Sequence, residues 1–320
     1  MDSCLEIIEQ CIPRLRYKYP SFLCGDAGVL AVGACAYAKS GDKSKAVHLY
    51  NLLVEKCSPV VLDLDSGIPD EVLFGRAGFL YSLLFVKREV PSVLEVDEEL
   101  IRTTCRAIVR SGVKRQREVN FSEAPLYYEW HEKAYLGAAH GFSGILFLLL
   151  SAAQYVREKD LTTRIRPTID YLLKLRFVSG NYPSSLGNRT DRLVHWCHGA
   201  PGFVFLFCEA FEVFGDYKYR DAAYEAAATI WERGLLKKGF GLCHGVAGNA
   251  YALLYVHQTL GDKSFLFRAA QYAKYCEQRG RVATDQPDRP LSMFEGLAGT
   301  VYFLFDFVDP ENAKFPAFVI

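Results

Sequence analysis

Cysteine and histidine stand next to each other twice in this chain, each time directly before a glycine, as Cys197-His198-Gly199 and Cys243-His244-Gly245. Thiolate and imidazole are the side chains that zinc binds most readily, usually in a tetrahedral arrangement. Two such pairs brought together by a fold would supply three or four ligands, and three ligands would leave one position open for catalysis. The two motifs therefore predict a metal site and favour an enzyme.

The alternative is that both pairs are ordinary core residues, because free cysteine is among the most buried residue types. The repetition argues against this, since Cys197 and Cys243 occur in the same Gly-x-x-Gly context, 46 residues apart by subtraction. Structural zinc fingers use a different Cys-x-x-Cys spacing. Consecutive residues of a regular helix point about 100° apart, so Cys243 and His244 can reach one ion only from an irregular turn.

The Gly-x-x-Gly unit that follows these pairs is one of six along the chain, and an apolar run follows each unit. The first glycines are 50, 66, 58, 46 and 51 residues apart by subtraction, at Gly25, Gly75, Gly141, Gly199, Gly245 and Gly296. The apolar runs are typical of helices that are buried on all sides. Stretches with charge on one face, such as Asp221 to Glu232 and Phe265 to Glu277, lie between them and indicate amphipathic helices.

Alternation of a buried helix with an amphipathic helix, at a period of roughly 50 residues, indicates helical hairpins in two concentric layers. The sequence therefore predicts an all-α protein, an α/α barrel. Each Gly-x-x-Gly unit would begin an inner helix, where the missing side chains let loops crowd together and the backbone N–H groups face a ligand. Adjacent hairpins would then bring Cys197 and Cys243 together.

The composition excludes several classes of function. Lys and Arg number 37 and so do Asp and Glu, so the chain offers no net charge for nucleic acid or an anionic membrane. No apolar run reaches the roughly 18 residues of a membrane span. The start Met1-Asp2-Ser3-Cys4 is not that of a signal peptide. We expect a cytoplasmic protein, with a nuclear or membrane-peripheral location as the alternatives, and we expect its 10 cysteines to be mostly reduced and buried.

The motifs together resemble those of eukaryotic LanC-like proteins, relatives of the bacterial lanthionine synthetase cyclases. The similarity spans the chain and is carried by Phe22 to Gly28, Ala138 to Gly141, Trp196 to Gly202, Gly241 to Gly245 and Phe294 to Gly299. It implies a toroid of seven inner and seven outer helices with one zinc ion held by two cysteines and one histidine. The implied ligands are Cys197, Cys243 and His244.

The resemblance also implies roles for residues outside the metal ligands. His198 would be a structural or supporting histidine, and His140 would transfer protons, where a buried histidine satisfied by backbone is the alternative. Glu71 matches a catalytic acidic position of the bacterial cyclases, with its neighbour Asp70 as the other choice. The alternative for Glu71 is a carboxylate in a surface loop.

The activity implied by the family is addition of the glutathione thiol to dehydroalanine or dehydrobutyrine residues of proteins or peptides. Glutathione has two carboxylates, which Lys238 and Arg281 would bind. Either could instead be a solvated surface charge. A second possibility is a zinc- and glutathione-binding adaptor with SH3-type partners, to which only the spacing of Pro287 and Pro290 points. A glycoside-processing barrel would need two carboxylates flanking its cavity and no thiol site.

The chain differs from the family in one respect, since it has six Gly-x-x-Gly units where the family has seven. We therefore expect residues 1–320 to form a single LanC-like domain that lacks the first helical hairpin. In that case the helices that follow Gly28 and Gly299 would each expose an apolar side.

Overall fold

The computed structural model describes residues 2–279, 287 and 289–320, and these residues contain no β-strand. Tyr135 and Ser185 form an isolated antiparallel β-bridge. Short 3₁₀ turns lie at Ile12–Arg14 and Ala153–Tyr155, and a π-helical turn lies at Leu161–Ile165. The α-helices are α1 (Asp2–Cys11), α2 (Asp26–Ser40), α3 (Lys43–Leu62), α4 (Arg76–Glu89), α5 (Glu98–Glu118), α6 (Phe142–Ser151), α7 (Glu158–Asp160), α8 (Arg166–Leu173), α9 (Ala200–Phe214), α10 (Tyr217–Arg233), α11 (Val246–Leu260), α12 (Lys263–Arg279) and α13 (Leu297–Asp306).

The contacts between residues divide the chain into two compact units. The first comprises the residues up to His131, Ser151–Thr168 and Ile320, and the second comprises Glu132–Leu150 and Ile169–Val319. In the first unit α2 packs against α1, α3 and α4, and α5 packs against α3 and α4. In the second unit α11 packs against α9, α10, α12 and α13. The predicted metal ligands all lie in the second unit.

The helices that follow the Gly-x-x-Gly units are buried almost all round, as their apolar runs predict. Every residue of α6 except Ser151 is buried, and α9 and α11 are buried along most of their length. The stretches Asp221 to Glu232 and Phe265 to Glu277 lie in α10 and α12, each of which has one exposed face. Burial of each Leu, Val or Phe stabilises the fold by about 1.5 to 3 kcal/mol.

Three tight turns with the same sequence join an inner helix to the helix that follows it. The turns Gly41-Asp42, Gly215-Asp216 and Gly261-Asp262 connect α2 to α3, α9 to α10 and α11 to α12. Each glycine ends a helix with a left-handed φ of 93°, 64° or 72°, which L side chains rarely adopt. Each aspartate then accepts a hydrogen bond from a backbone N–H of the next helix's first turn. These hairpins confirm the predicted helix pairs.

The loops before the inner helices fold back onto the helix starts. In five of the six motifs the first helical N–H donates to a backbone carbonyl seven residues earlier, from Asp26 to Tyr19, Arg76 to Pro69, Phe142 to Tyr135, Val246 to Gly239 and Leu297 to Pro290. Crowding of the loops is thus as predicted. The expectation that these N–H groups face a ligand is wrong for the five motifs, because loop carbonyls already accept their hydrogen bonds.

The apolar surface of the described helices is concentrated on α13. There Leu297 is 53% exposed and Phe305 is 77% exposed, as expected for the helix that follows Gly299. The helix that follows Gly28 is α2, and the expectation that it exposes an apolar side is wrong. The helix α1 packs against α2, and most of α2 is buried. None of the described helices is both long enough and apolar enough to cross a membrane.

Candidate metal centre

The two Cys-His motifs lie in neighbouring loops of the second unit. Backbone hydrogen bonds join the loops directly, from Cys197 N to Cys243 O (3.2 Å) and from Cys243 N to Phe294 O (2.7 Å). A third bond, from Ala138 N to Trp196 O (3.3 Å), attaches the loop that carries His140. Loops that are far apart in the sequence therefore become adjacent through backbone pairing, and their side chains meet.

Cys197, Cys243 and His244 place one ligand atom each within 4.8 Å of the other two. Cys197 is 7% exposed. The Nε2 atom of His244 is buried and has no hydrogen-bond partner among the described residues. A metal ion at this site would bind one nitrogen of the His244 ring. Two sulfur donors and one imidazole nitrogen fit zinc with one coordination position left open.

A side-chain hydrogen bond links the two thiols. The Cys197 thiol donates to Cys243, which lowers the pKa of the Cys243 thiol, while the same hydrogen bond and burial raise the pKa of Cys197. Cys243 is therefore the thiol of the pair that ionises first. Both thiols would have to lose their protons to bind a metal ion, so metal binding at this site releases protons.

The rings of His198 and His140 both lie close to the Tyr135 ring. The ring centroid of Tyr135 is 5.7 Å from that of His198 and 5.8 Å from that of His140. His198 is outside the group of three ligands, and its buried Nδ1 atom has no hydrogen-bond partner in the part of the chain that the structure describes. Burial, followed by the charges of His140, Lys133 and His244, lowers the pKa of His198 to about 4. His198 is therefore neutral at physiological pH.

His195 belongs to this cluster, although the sequence analysis did not identify it. Its ring centroid is 5.9 Å from that of His244. Burial, and then the charge of His244, lowers the pKa of His195 to about 4, so it is a second neutral imidazole beside the ligands. Its position two residues before Cys197 was the available signal, but it lies outside the repeated motif.

The cationic residue Lys238 is exposed in the turn before α11. Its positive charge contributes to lowering the pKa of His195 and opposes the upward shift of the Cys197 pKa, so it acts on the cluster electrostatically. Glu295 acts in the opposite direction and raises the pKa of Cys243, and its buried Oε2 atom has no partner among the residues described. Arg281 lies outside the described residues, as does part of the Pro287 to Pro290 segment.

Glu71 and Asp70 lie in the first unit, before α4. Glu71 is 1% exposed, and its carboxylate accepts hydrogen bonds from the backbone N–H groups of Leu73 (2.8 Å) and Phe74 (2.6 Å). Asp70 accepts from Arg76 (3.1 Å) and from Ser111 (2.6 Å), and burial raises its pKa. The alternative of a surface-loop carboxylate is therefore wrong for Glu71. Its catalytic role stays a prediction.

Comparison with known proteins identifies the family. A family model described as lanthionine synthetase C-like protein matches residues 1–320. The chain belongs to this family. It is 40% identical over 321 residues to glutathione S-transferase LANCL1 of Danio rerio, covering 100% of this chain and 79% of that protein. It is 36% identical over 331 residues to LanC-like protein GCL1 of Arabidopsis thaliana, covering 99% and 75% respectively.

The fold of this LanC-like protein is also that of a solved structure. Nisin cyclase matches with a TM-score of 0.58 and 16% identity, covering 98% of this chain and 95% of that chain. At this identity the likeness shows the fold alone. It confirms the predicted fold class, an all-α barrel of the LanC type. The single-domain organisation of residues 1–320 stays a prediction.

Proposed function

We propose that this LanC-like protein is a zinc-dependent glutathione S-transferase that adds glutathione to dehydroalanine or dehydrobutyrine residues of proteins or peptides. The observation that carries the proposal is the convergence of the ligand atoms of Cys197, Cys243 and His244 within 4.8 Å. The name of the Danio rerio relative, a glutathione S-transferase 40% identical to this chain, supports the choice of thiol.

Cys197, Cys243 and His244 would hold the zinc ion. Zinc bound in such a site lowers the pKa of a coordinated thiol, so that the thiol is present as the nucleophilic thiolate near neutral pH. In the reaction a bond forms between the glutathione sulfur and Cβ of the dehydroamino acid. The electron pair of the double bond then takes a proton at Cα. His140 is the residue proposed to move that proton, and Glu71 is proposed to assist.

Glutathione binding requires positive charge near the thiol. Lys238 supports this role because it is exposed and its charge acts on Cys197 and His195. We expect Lys238→Gln to raise KM for glutathione about fivefold, the scale of one exposed ion pair, with a smaller effect on kcat. The matched control is Lys237→Gln, which removes the neighbouring exposed charge and should leave KM unchanged. Arg281 remains a second proposed contact, and SH3-type partners and a cytoplasmic location remain predictions.

The test combines metal content with turnover. Purified wild-type protein should contain one equivalent of zinc by elemental analysis and should add glutathione to a dehydroalanine peptide, detected by mass spectrometry. Cys197→Ala and Cys243→Ala should lose both, whereas His198→Ala should keep its zinc. Full zinc in Cys243→Ala together with loss in His198→Ala would show that the ligand assignment is wrong. Stoichiometric zinc without turnover would favour the adaptor function.

A further inference from the structure

The helix that follows the Cys197 motif begins differently from the other inner helices. In the other five motifs the first helical N–H donates directly to the carbonyl seven residues earlier. The corresponding pair here is Ala200 N and Leu193 O. Ala200 N instead donates to a side chain from elsewhere in the chain, the carboxamide of Asn181. This motif is also one of the two that carry predicted metal ligands.

Asn181 takes the place of the direct backbone hydrogen bond. Its side chain is fully buried, and its Oδ1 accepts from Ala200 N at 2.8 Å. Its Nδ2 donates to Leu193 O at 2.9 Å and to Asp191 Oδ1 at 2.8 Å. One amide group thus joins both ends of the segment from Leu193 to Ala200, which contains Cys197.

The inserted amide changes the backbone of the loop. Gly199 has a φ of 113°, whereas the glycines at the same position before α2, α4, α11 and α13 have φ between −114° and −128°. A Cβ atom on Gly199 would lie 2.1 Å from Leu193 O and 2.9 Å from Asn181 Oδ1. The left-handed backbone at Gly199 follows directly after His198, so it determines how the Cys197-His198 turn enters α9.

Further hydrogen bonds hold Asn181 and the loop in place. Asp191, which accepts from Asn181, also accepts from Ser179 at 2.6 Å and from Arg233 at 3.0 Å. On the other side, Asn249 in the first turn of α11 donates to Val194 O at 3.0 Å and to Gly234 O at 2.9 Å. The loop is therefore attached to α10 and α11 as well as to Asn181.

We propose that Asn181 is a positioning residue that sets the place of Cys197 relative to Cys243 and His244. The hydrogen bonds of its side chain go to Ala200, Leu193 and Asp191, so it acts through the backbone of the loop. The proposal rests on the proposed function in that it assumes a metal ion held by these three side chains. Residues that orient metal ligands typically change metal affinity or activity by about 10-fold to 100-fold when they are replaced.

The experiment compares wild-type protein with Asn181→Ala and Asn181→Asp. The aspartate variant keeps the side-chain volume and the acceptor for Ala200 N but loses the donors to Leu193 and Asp191. Both variants should bind zinc about 10-fold or more weakly in a chelator competition. With Co²⁺ in place of zinc, both should show altered thiolate-to-cobalt and d–d absorption, since these bands depend on ligand geometry. For glutathione addition kcat should fall more than KM rises.

The control is Tyr219→Phe, which removes a partly buried hydrogen bond to Asp170 (2.7 Å) in the same unit. It should lower the melting temperature and leave the cobalt spectrum unchanged. If Asn181→Asp, which places a second carboxylate against Asp191, does not fold, Asn181→Ala provides the result. A folded Asn181 variant with wild-type zinc affinity and cobalt spectrum would overturn the proposal. Wild-type protein that binds zinc and Co²⁺ but does not transfer glutathione would contradict the proposed function alone. The positioning role of Asn181 would still be tested, because zinc affinity and the cobalt spectrum can be compared between wild type and variants without turnover.

Discussion

At the scale of residues, the site consists of ligands and of imidazoles that are kept neutral beside them. His195 and His198 both have pKa values lowered to about 4 by burial, so neither adds positive charge next to the ligand group. His244 differs because one of its ring nitrogens lies within 4.8 Å of the sulfur atoms of Cys197 and Cys243. His140 is only half-buried and contacts Tyr135, which suits a residue that exchanges protons with a substrate.

Replacement of His140 tests its proposed role. We expect His140→Ala to retain one equivalent of zinc and to lose about 10²-fold to 10⁴-fold in kcat, the usual contribution of a general acid or base. Zinc content by elemental analysis and initial rates with a dehydroalanine peptide measure the two effects. Cys243→Ala serves as the control because it should lose both its zinc and its activity. Loss of zinc in His140→Ala would instead make His140 a ligand.

At the scale of elements, the Gly-x-x-Gly units allow a loop and a helix start to pack backbone against backbone. The clearest case is Gly248, where a Cβ atom would lie 1.8 Å from Leu242 O. Leu242 directly precedes Cys243, so the close approach that needs this glycine also places a ligand. The motif therefore acts through packing of the loop, and the loop carries the chemistry.

Gly248→Ala should destabilise the protein and weaken zinc binding together. The added methyl group must displace Leu242, and overpacking of this kind costs about 1 to 3 kcal/mol. At this chain length each kcal/mol lowers the melting temperature by roughly 2 to 4 °C or somewhat less. Gly41→Ala is the control for destabilisation alone, because its φ of 93° strains an L side chain and Gly41 lies in the first unit, whereas the metal ligands lie in the second. The control should keep wild-type zinc affinity, and a Gly248→Ala protein with unchanged melting and affinity would contradict the packing role.

At the scale of the whole molecule, the chain has a large apolar interior that also contains thiols. All 10 cysteines are free. Burial raises the pKa of the thiols of Cys35, Cys57, Cys105 and Cys276 to about 12. The ordinary value is about 8.5, so the folded protein holds these protons more tightly than the unfolded chain does.

Alkaline pH should therefore destabilise the protein. The stability that these thiols contribute is fully present below about pH 8.5 and is lost as the pH rises from there toward 12, because unfolding releases their protons. The melting temperature of the metal-free protein, measured by calorimetry in a reducing buffer, should be lower at pH 10 than at pH 7.5. Cys276→Ala should show a smaller difference between the two pH values. An equal melting temperature at both pH values would contradict the expectation.

Much of the fold and of the metal centre could be predicted from the sequence alone because the signals are local. The period of apolar residues predicts the buried α9 and α11 and the amphipathic α10 and α12, since each depends on helical geometry alone. The repeated Cys-His-Gly motif predicts a metal site, and family resemblance chooses Cys197, Cys243 and His244 within it. The structure brings these three side chains together.

Contacts between distant residues, in contrast, are decided only in the folded molecule. Asn181 lies in no motif, and it matters because its amide occupies the gap between Leu193 and Ala200. In five of the six motifs the first helical N–H donates to a loop carbonyl, and the carboxylate of the buried Glu71 accepts from the backbone of its own loop. A hydrogen bond needs both partners within about 3 Å, and only the packing of the chain sets such distances.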